Sequence, residues 1–214
     1  QPAPGAQLSY TDQGADLTVG THKYQVIPYG AYGMGTKSQV VSVLLTSILE
    51  VPYYADFTQS GTIEVFQVLD NNHDGSTWSW NSAFDAFYSF DPINKADDYL
   101  ITLPIHLMGG KIYTVKVKAK AYSSEYTERF EVVAGKGATA QALNISVIPP
   151  TELTSEGYEE FEGSFTTDVE GTYYVAIHAI SDANTWTLQV SSLAVEKGPE
   201  NSAPAAPTLE VVAD

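Results

Sequence analysis

Between residues 111 and 122 the chain alternates without a break. Tyr113, Val115, Val117, Ala119 and Ala121 fall on one parity, and Thr114, Lys116, Lys118 and Lys120 on the other. Successive side chains of a strand point to opposite faces, so this stretch buries its apolar set as one face of a sheet. Helical spacing is absent from residues 48–197. Two-residue alternation recurs at 64–69, 99–103, 128–133, 141–148, 159–166, 172–180 and 186–193. Turns containing Gly, Pro and Asn separate these runs. The pattern predicts an all-β chain, most simply an antiparallel two-sheet jelly-roll β-sandwich. The lysine row either faces Glu160 and Glu162 of a neighbouring strand or forms a solvated face that discourages edge-to-edge pairing. The second is expected.

The 214 residues are 43% hydrophobic and only 17% charged, enough for a sizeable core. A formal net charge of −16 makes nucleic acid and anionic membrane surfaces poor partners, whereas divalent cations and neutral sugars suit such a field. Cysteine is absent, so no disulfide supports the fold, and a metal is one substitute staple. No apolar run reaches membrane-spanning length, so no membrane insertion is expected.

One loop carries distinctive chemistry. Asp70, Asn72 and Asp74 alternate, Gly75 follows, and Trp78 closes the stretch. Short oxygen-bearing side chains at this spacing gather around one point, and a hard cation such as calcium takes six to eight oxygens. The first half of an EF-hand loop has this pattern, but Asn81 stands where its closing Glu belongs and a strand precedes it. This is therefore a calcium-type loop between strands, its remaining ligands coming from elsewhere. The alternative is an Asx-rich turn without metal; three spaced oxygens followed by a Trp favour the metal.

The ends read differently from the centre. Leu17, Thr21, Tyr24 and Val26, then Gly33, Gly35 and Ser38, form two strands around a glycine turn, with a further short strand near 8–11. They resemble the last strands of a fibronectin type III domain. Residues 199–214 are a Pro- and Ala-rich linker, and Pro204, Pro207, Leu209 and Val211 resemble the first strand of another. The expected division is 1–47, 48–198 and 199–214, a monomeric module within a longer chain, although both ends as extra strands of one domain also fit.

Four blocks in order carry a second resemblance: Val68-Leu69-Asp70-Asn71-Asn72-His73-Asp74-Gly75-x-x-Trp78, Ala96-Asp97-Asp98-Tyr99-Leu100-Ile101-Thr102, Tyr122 with Glu125-Tyr126-x-x-x-Phe130-x-Val132, and Gly171-Thr172-Tyr173-Tyr174-Val175-Ala176-Ile177-His178. Together they resemble the cleaved-adhesin jelly-roll repeat of gingipain haemagglutinin regions and choice-of-anchor J proteins. The resemblance implies a jelly roll, calcium at the Asp70 loop, and a place in secreted or surface-displayed bacterial proteins. It also implies that Asp97 or Asp98 fills the polar position before Tyr99, with Asp98 taken as the fourth candidate ligand. Val190-Ser191-Ser192-Leu193 replaces the paired aspartates that often close the family's last strand.

Catalytic readings fare badly. His22, His73, His106 and His178 are scattered, thiol chemistry is excluded, and neighbouring carboxylates such as Asp97 and Asp98 point to opposite faces of a strand. His178 reads as a half-buried structural residue and His73 as solvent-facing. Among the aromatics past the loop, Trp78 reads as core, and Trp80 and Tyr88 are the candidate ligand-stacking residues. Two functions remain: a non-catalytic adhesion module binding a host or neighbouring-cell protein, or a carbohydrate-binding accessory module.

Overall fold

The computed structural model describes residues 20–30, 33–45 and 47–199. The chain divides into two compact units, Gln1–Ser47 and Ile48–Asp214. In the first, β1 (Gly20–Tyr24) pairs antiparallel with β4 (Val41–Leu45). A tight hairpin of β2 (Tyr29–Gly30) and β3 (Gly33–Met34) turns between them, with Gly33 at φ 110°. The strand expected near 8–11, and nearly all of 199–214, lie outside the described residues.

The second unit holds β5 (Tyr53–Asp56), a 3-10 turn (Ile63–Val65), β6 (Gln67–Asp70), β7 (Trp78–Asn81), β8 (Asp85–Ser89), β9 (Asp98–Ile101), β10 (Ile105–Leu107), β11 (Lys111–Ala121), β12 (Glu128–Gly135), β13 (Ile145–Leu153), β14 (Glu159–Thr167), β15 (Gly171–Ala179) and β16 (Thr187–Lys197). One antiparallel sheet runs β13-β12-β15-β9-β6, with β10 also on β15. The other runs β14-β11-β16-β8-β7, with β5 also on β16. The result is a jelly-roll sandwich. Its core joins the inner parities of both sheets: Val115, Val117, Leu188, Val190 and Leu193 from one, Leu100, Phe130, Val132, Val175 and Ile177 from the other. Each such side chain removed from water contributes about 1.5–3 kcal/mol.

The alternation of 111–122 is realised as expected on its apolar side, where Tyr113 to Ala121 are buried. Its lysine side differs from expectation. Lys116 lies 3.2 Å from Glu196 and 4.0 Å from Glu162, Lys118 lies 3.9 Å from Glu160, and the Lys120 ammonium sits 5.0 Å above the Tyr158 ring. The reason is position: β11 is central, flanked by β14 and β16, so its outer face meets cross-strand glutamates and has no edge to protect.

The strand expected at 141–148 begins at Ile145 and runs on through Pro149 and Pro150. β13 ends its sheet, where prolines deprive the ladder of no donor it needs. The preceding loop folds back instead: Leu143 joins Tyr99, Ile101, Val133 and Ala176 in a second apolar cluster. Gly135 permits this, because a Cβ there would lie 1.8 Å from the Ala142 carbonyl oxygen.

β13 and β14 meet backbone to backbone. A Cβ on Gly163 would lie 2.0 Å from the Val147 oxygen and 2.7 Å from its carbonyl carbon. Gly163→Ala is expected to cost about 1–3 kcal/mol through overpacking. Denaturant unfolding measures this, and an unchanged midpoint with an unchanged slope counts against the close approach.

Candidate metal centre

β6 ends at Asp70 and β9 begins at Asp98, and the two residues sit opposite one another in register. From Asp70 the chain crosses to β7 of the other sheet, so residues 71–77 span one end of the sandwich. Left-handed backbone at His73 (φ 58°) and Gly75 (φ 86°) makes the crossing tight. Trp78 is buried beneath it, donating its Nε1–H to the Asp98 carbonyl at 2.9 Å and meeting Tyr88 edge-on at 6.4 Å.

Two carboxylates converge here with half of their capacity unused. Asp70 Oδ2 accepts the Gly75 N–H at 3.0 Å, and Asp98 Oδ2 accepts the Asp97 N–H at 3.1 Å. Oδ1 of each is buried with no partner at ordinary hydrogen-bond geometry, as are the Thr77 and Tyr88 hydroxyls, the Thr77 hydroxyl standing near the Asp98 carboxyl without closing a well-formed bond. Burial pushes the Asp98 carboxyl up to about 6. The charges of Asp70 and Asp74 add to the rise, and the nearby Thr77 hydroxyl and the Asp97 N–H oppose it. Tyr88 is raised by burial and then by Asp98, Asp74, Asp91 and Asp70.

Asn72 and Asp74 occupy the more exposed side. The Asn72 amide donates to Asp74 Oδ2 and to the Lys95 carbonyl, each at 2.8 Å, and Asp74 Oδ1 accepts the Ser76 N–H at 2.8 Å. The structure thus brings Asp70 and Asp98 together and ties Asn72 to Asp74. Among the described residues, no three His, Asp or Glu side chains form a group that could hold a metal. The residues nonetheless fit a hard cation: four like charges gather around buried oxygens that lack partners, which is costly unless a positive charge sits among them. Amide, hydroxyl and carbonyl oxygens would have to complete its shell.

Asp97 and Asp98 divide by strand parity. Asp98 faces the centre, whereas Asp97 faces away, accepting from the Asn71 amide at 2.7 Å and standing 2.8 Å from His178 Nε2. His178 Nδ1 is 2.8 Å from Glu131, and the imidazole stacks on Tyr99 with centroids 3.8 Å apart. A neutral imidazole donates to only one of these carboxylates. His178 is buried, more deeply than the half-burial expected, and its two acidic partners are not readable from spacing. His73 is exposed.

Of the two candidate stacking residues, Tyr88 is placed otherwise than expected, whereas Trp80 keeps part of its surface. Tyr88 is 1% exposed, because its parity on β8 matches the inward-facing Ala86, so it offers no surface to a ligand. Trp80 is half-buried and donates to the Phe57 carbonyl at 2.7 Å, lining a groove of about 460 Å³ with Ile63, Phe66 and Val68. Sequence reasoning missed Asp91, whose Oδ1 accepts the N–H groups of Asn94 and Ile93 and whose carboxyl they hold below the usual range. Its Asp-Pro-x-Asn context signals an Asx turn and nothing more.

No protein-family model matches the chain, and no curated protein matches it. Solved structures do. The K1 cleaved adhesin domain of Lys-gingipain from Porphyromonas gingivalis W83 superposes with a TM-score of 0.54 at 14% identity, covering 70% of this chain and 99% of that one. The K2 domain gives 0.51 at 15%, covering 69% and 99%. The K3 domain, also from P. gingivalis W83, gives 0.50 at 15%, covering 67% and 98%. The chain has the cleaved-adhesin jelly-roll fold, and at these identities the likeness is one of fold.

Asp98 yields a signed prediction. A carboxyl whose folded pKa is raised contributes stability below its unfolded pKa, near 4, and loses it as pH rises through about 6. In chelator, Asp98→Asn should therefore melt above the parent protein at pH 7, with the gap closing towards pH 4. Parallel melting-versus-pH curves for the two proteins would contradict this.

Proposed function

We propose that residues 48–198 form a non-catalytic adhesion module of a secreted or cell-surface protein, whose end loop is braced by calcium. The observation that carries the binding reading is the fold shared with the adhesin domains over 70% of this chain. That fold offers two broad sheet faces and no helix among the described residues long and apolar enough to cross a membrane. Asp98, the carboxyl with the raised pKa, is fully buried, so a scissile bond cannot reach it. The partner class is a protein or glycan of a host or neighbouring cell; the net charge disfavours nucleic acid.

Calcium, when bound, supplies positive charge between the sheets and activates no water. Asp70 and Asp98 would hold it from the buried side, Asp74 and Asn72 from the loop. Because an ion that binds only the native state stabilises it by mass action, calcium ~100-fold above its dissociation constant should add about 2.7 kcal/mol. Melting with calcium and with chelator measures this. Asp74→Ala should remove most of the difference and Asp168→Ala should keep it, and coincident curves for the parent protein would refute the calcium site. Purified protein should release nothing from polysaccharides, esters or casein, and turnover abolished by changing one carboxylate would overturn the non-catalytic reading.

A further inference from the structure

The connection between β15 and β16 is held more firmly than a surface crossing requires. Glu128, fully buried at the start of β12, accepts the Trp186 N–H at 2.7 Å on Oε1. Its Oε2 accepts the hydroxyls of Ser181 at 2.6 Å and Thr185 at 3.3 Å. A buried carboxylate is tolerated only when its oxygens are satisfied, and here one short segment supplies all three donors. Arg129 reaches Asp182 at 2.9 Å and Glu152 at 2.8 Å, and Lys95 pairs with Asp182 as well. Backbone bonds of 2.9 Å, from Phe90 N–H to the Trp186 carbonyl and from Tyr122 N–H to the Thr187 carbonyl, fix the flanks.

What this framework holds at the surface is the Trp186 indole, 40% exposed. Phe90, Tyr122 and Tyr126 surround it with centroids 5.7, 5.9 and 5.6 Å away and planes tilted by only 24°, 28° and 25°. Tyr122 is itself 47% exposed. Elsewhere in the domain ring pairs are mostly tilted or edge-on, as with Trp78 and Tyr88 or Phe130 and Phe161. Around Trp186, by contrast, Phe90, Tyr122 and Tyr126 each stack on the indole.

We propose that the exposed parts of Trp186 and Tyr122, braced by Phe90 and Tyr126, form a binding platform for a neutral carbohydrate, a pyranose laying its C–H face against them. The proposal rests on the binding-module reading above and names its ligand. A sugar ring combines an apolar face with a rim of hydroxyls, which matches a rigid, partly exposed aromatic cluster with polar neighbours. Rings already fixed by Glu128 lose little freedom on binding. Charge selects the kind of sugar. Glu125, next to Tyr126 in sequence, and Asn184, two residues before Trp186, are exposed and can accept from hydroxyls. Lys95 and Arg129 are already engaged by Asp182 and Glu152. An anionic glycan or a nucleic acid would meet carboxylates here, a neutral polyol acceptors.

The test is affinity electrophoresis of the whole chain through gels containing mixed-linkage β-glucan, galactomannan or xylan, with hyaluronate and polygalacturonate as anionic probes. At least one neutral polymer should retard the protein. Trp186→Ala should weaken that binding by roughly tenfold or more, Trp186→Tyr by less, and Tyr54→Ala, on an exposed ring of β5, not at all. Circular dichroism and melting curves establish that each variant is folded, and Tyr122→Ala probes the platform should Trp186→Ala fail to fold. The platform is overturned by retention on no neutral polymer, by retention only on anionic ones, by retention indifferent to Trp186 and Tyr122, or by capture of a protein through these rings. The adhesion reading fails separately, on turnover, and survives if a protein partner binds elsewhere on the domain.

Discussion

Everything in the larger unit depends on one constraint, the parity of two long strands lying side by side. β11 and β16 each run eleven residues and pair along most of that length, with a register shift between Lys118 and Ala119. Their inward positions form the floor of the core, and β5, β8 and β14 are added to their flanks. Slipping β11 by one residue would drive Lys116, Lys118 and Lys120 into the core, so register is set by what burial forbids. The glutamates opposite those lysines fine-tune a choice the apolar face has already made, since exposed ion pairs contribute little by themselves.

The same parity organises the polar chemistry. Asp97 and Asp98 are neighbours in sequence and lie on opposite sides of a sheet, one stitched to His178 and the Asn71 amide, the other enclosed with Asp70. The end loop is thereby tied to both faces of one sheet, through Asn71 on one and through Asp70 on the other. A cation would join two strands already hydrogen-bonded, adding charge compensation more than connectivity.

Legibility followed periodicity and composition. β11 and β14 were readable because one more deeply buried face imposes a period of two. β12, β15 and β16 were readable because long runs rich in β-branched and aromatic residues lie between turn residues, although β15 and β16 are buried on both faces over much of their length. The short β7, β8 and β10 carry too few residues to show a period. β13 begins late because the loop before it carries apolar residues for a second cluster, a tertiary demand that looks like a strand in sequence. At the metal centre, the spacing of Asp70, Asn72 and Asp74 marked the loop, and strand alternation separated Asp98 from Asp97. What spacing cannot give is which residues meet across the sandwich. Tyr88 was misplaced because an aromatic after a polar loop reads equally as platform or core. Trp186 went unread as a surface residue because its exposure depends on Glu128, fifty-eight residues away.

The near-contact of Gly163 with Val147 makes the sandwich asymmetric. On that side the sheets are riveted, with β13 and β14 too close at Gly163 for a side chain there. On the opposite side the outermost strands are β6 and β7, both short, with the Trp80 groove between them and a single loop as their covalent link. Such an object opens as a book does, from its fore-edge and against its spine, and local unfolding should begin where the least backbone is paired. The acidic loop sits at that fore-edge, as a book's clasp does.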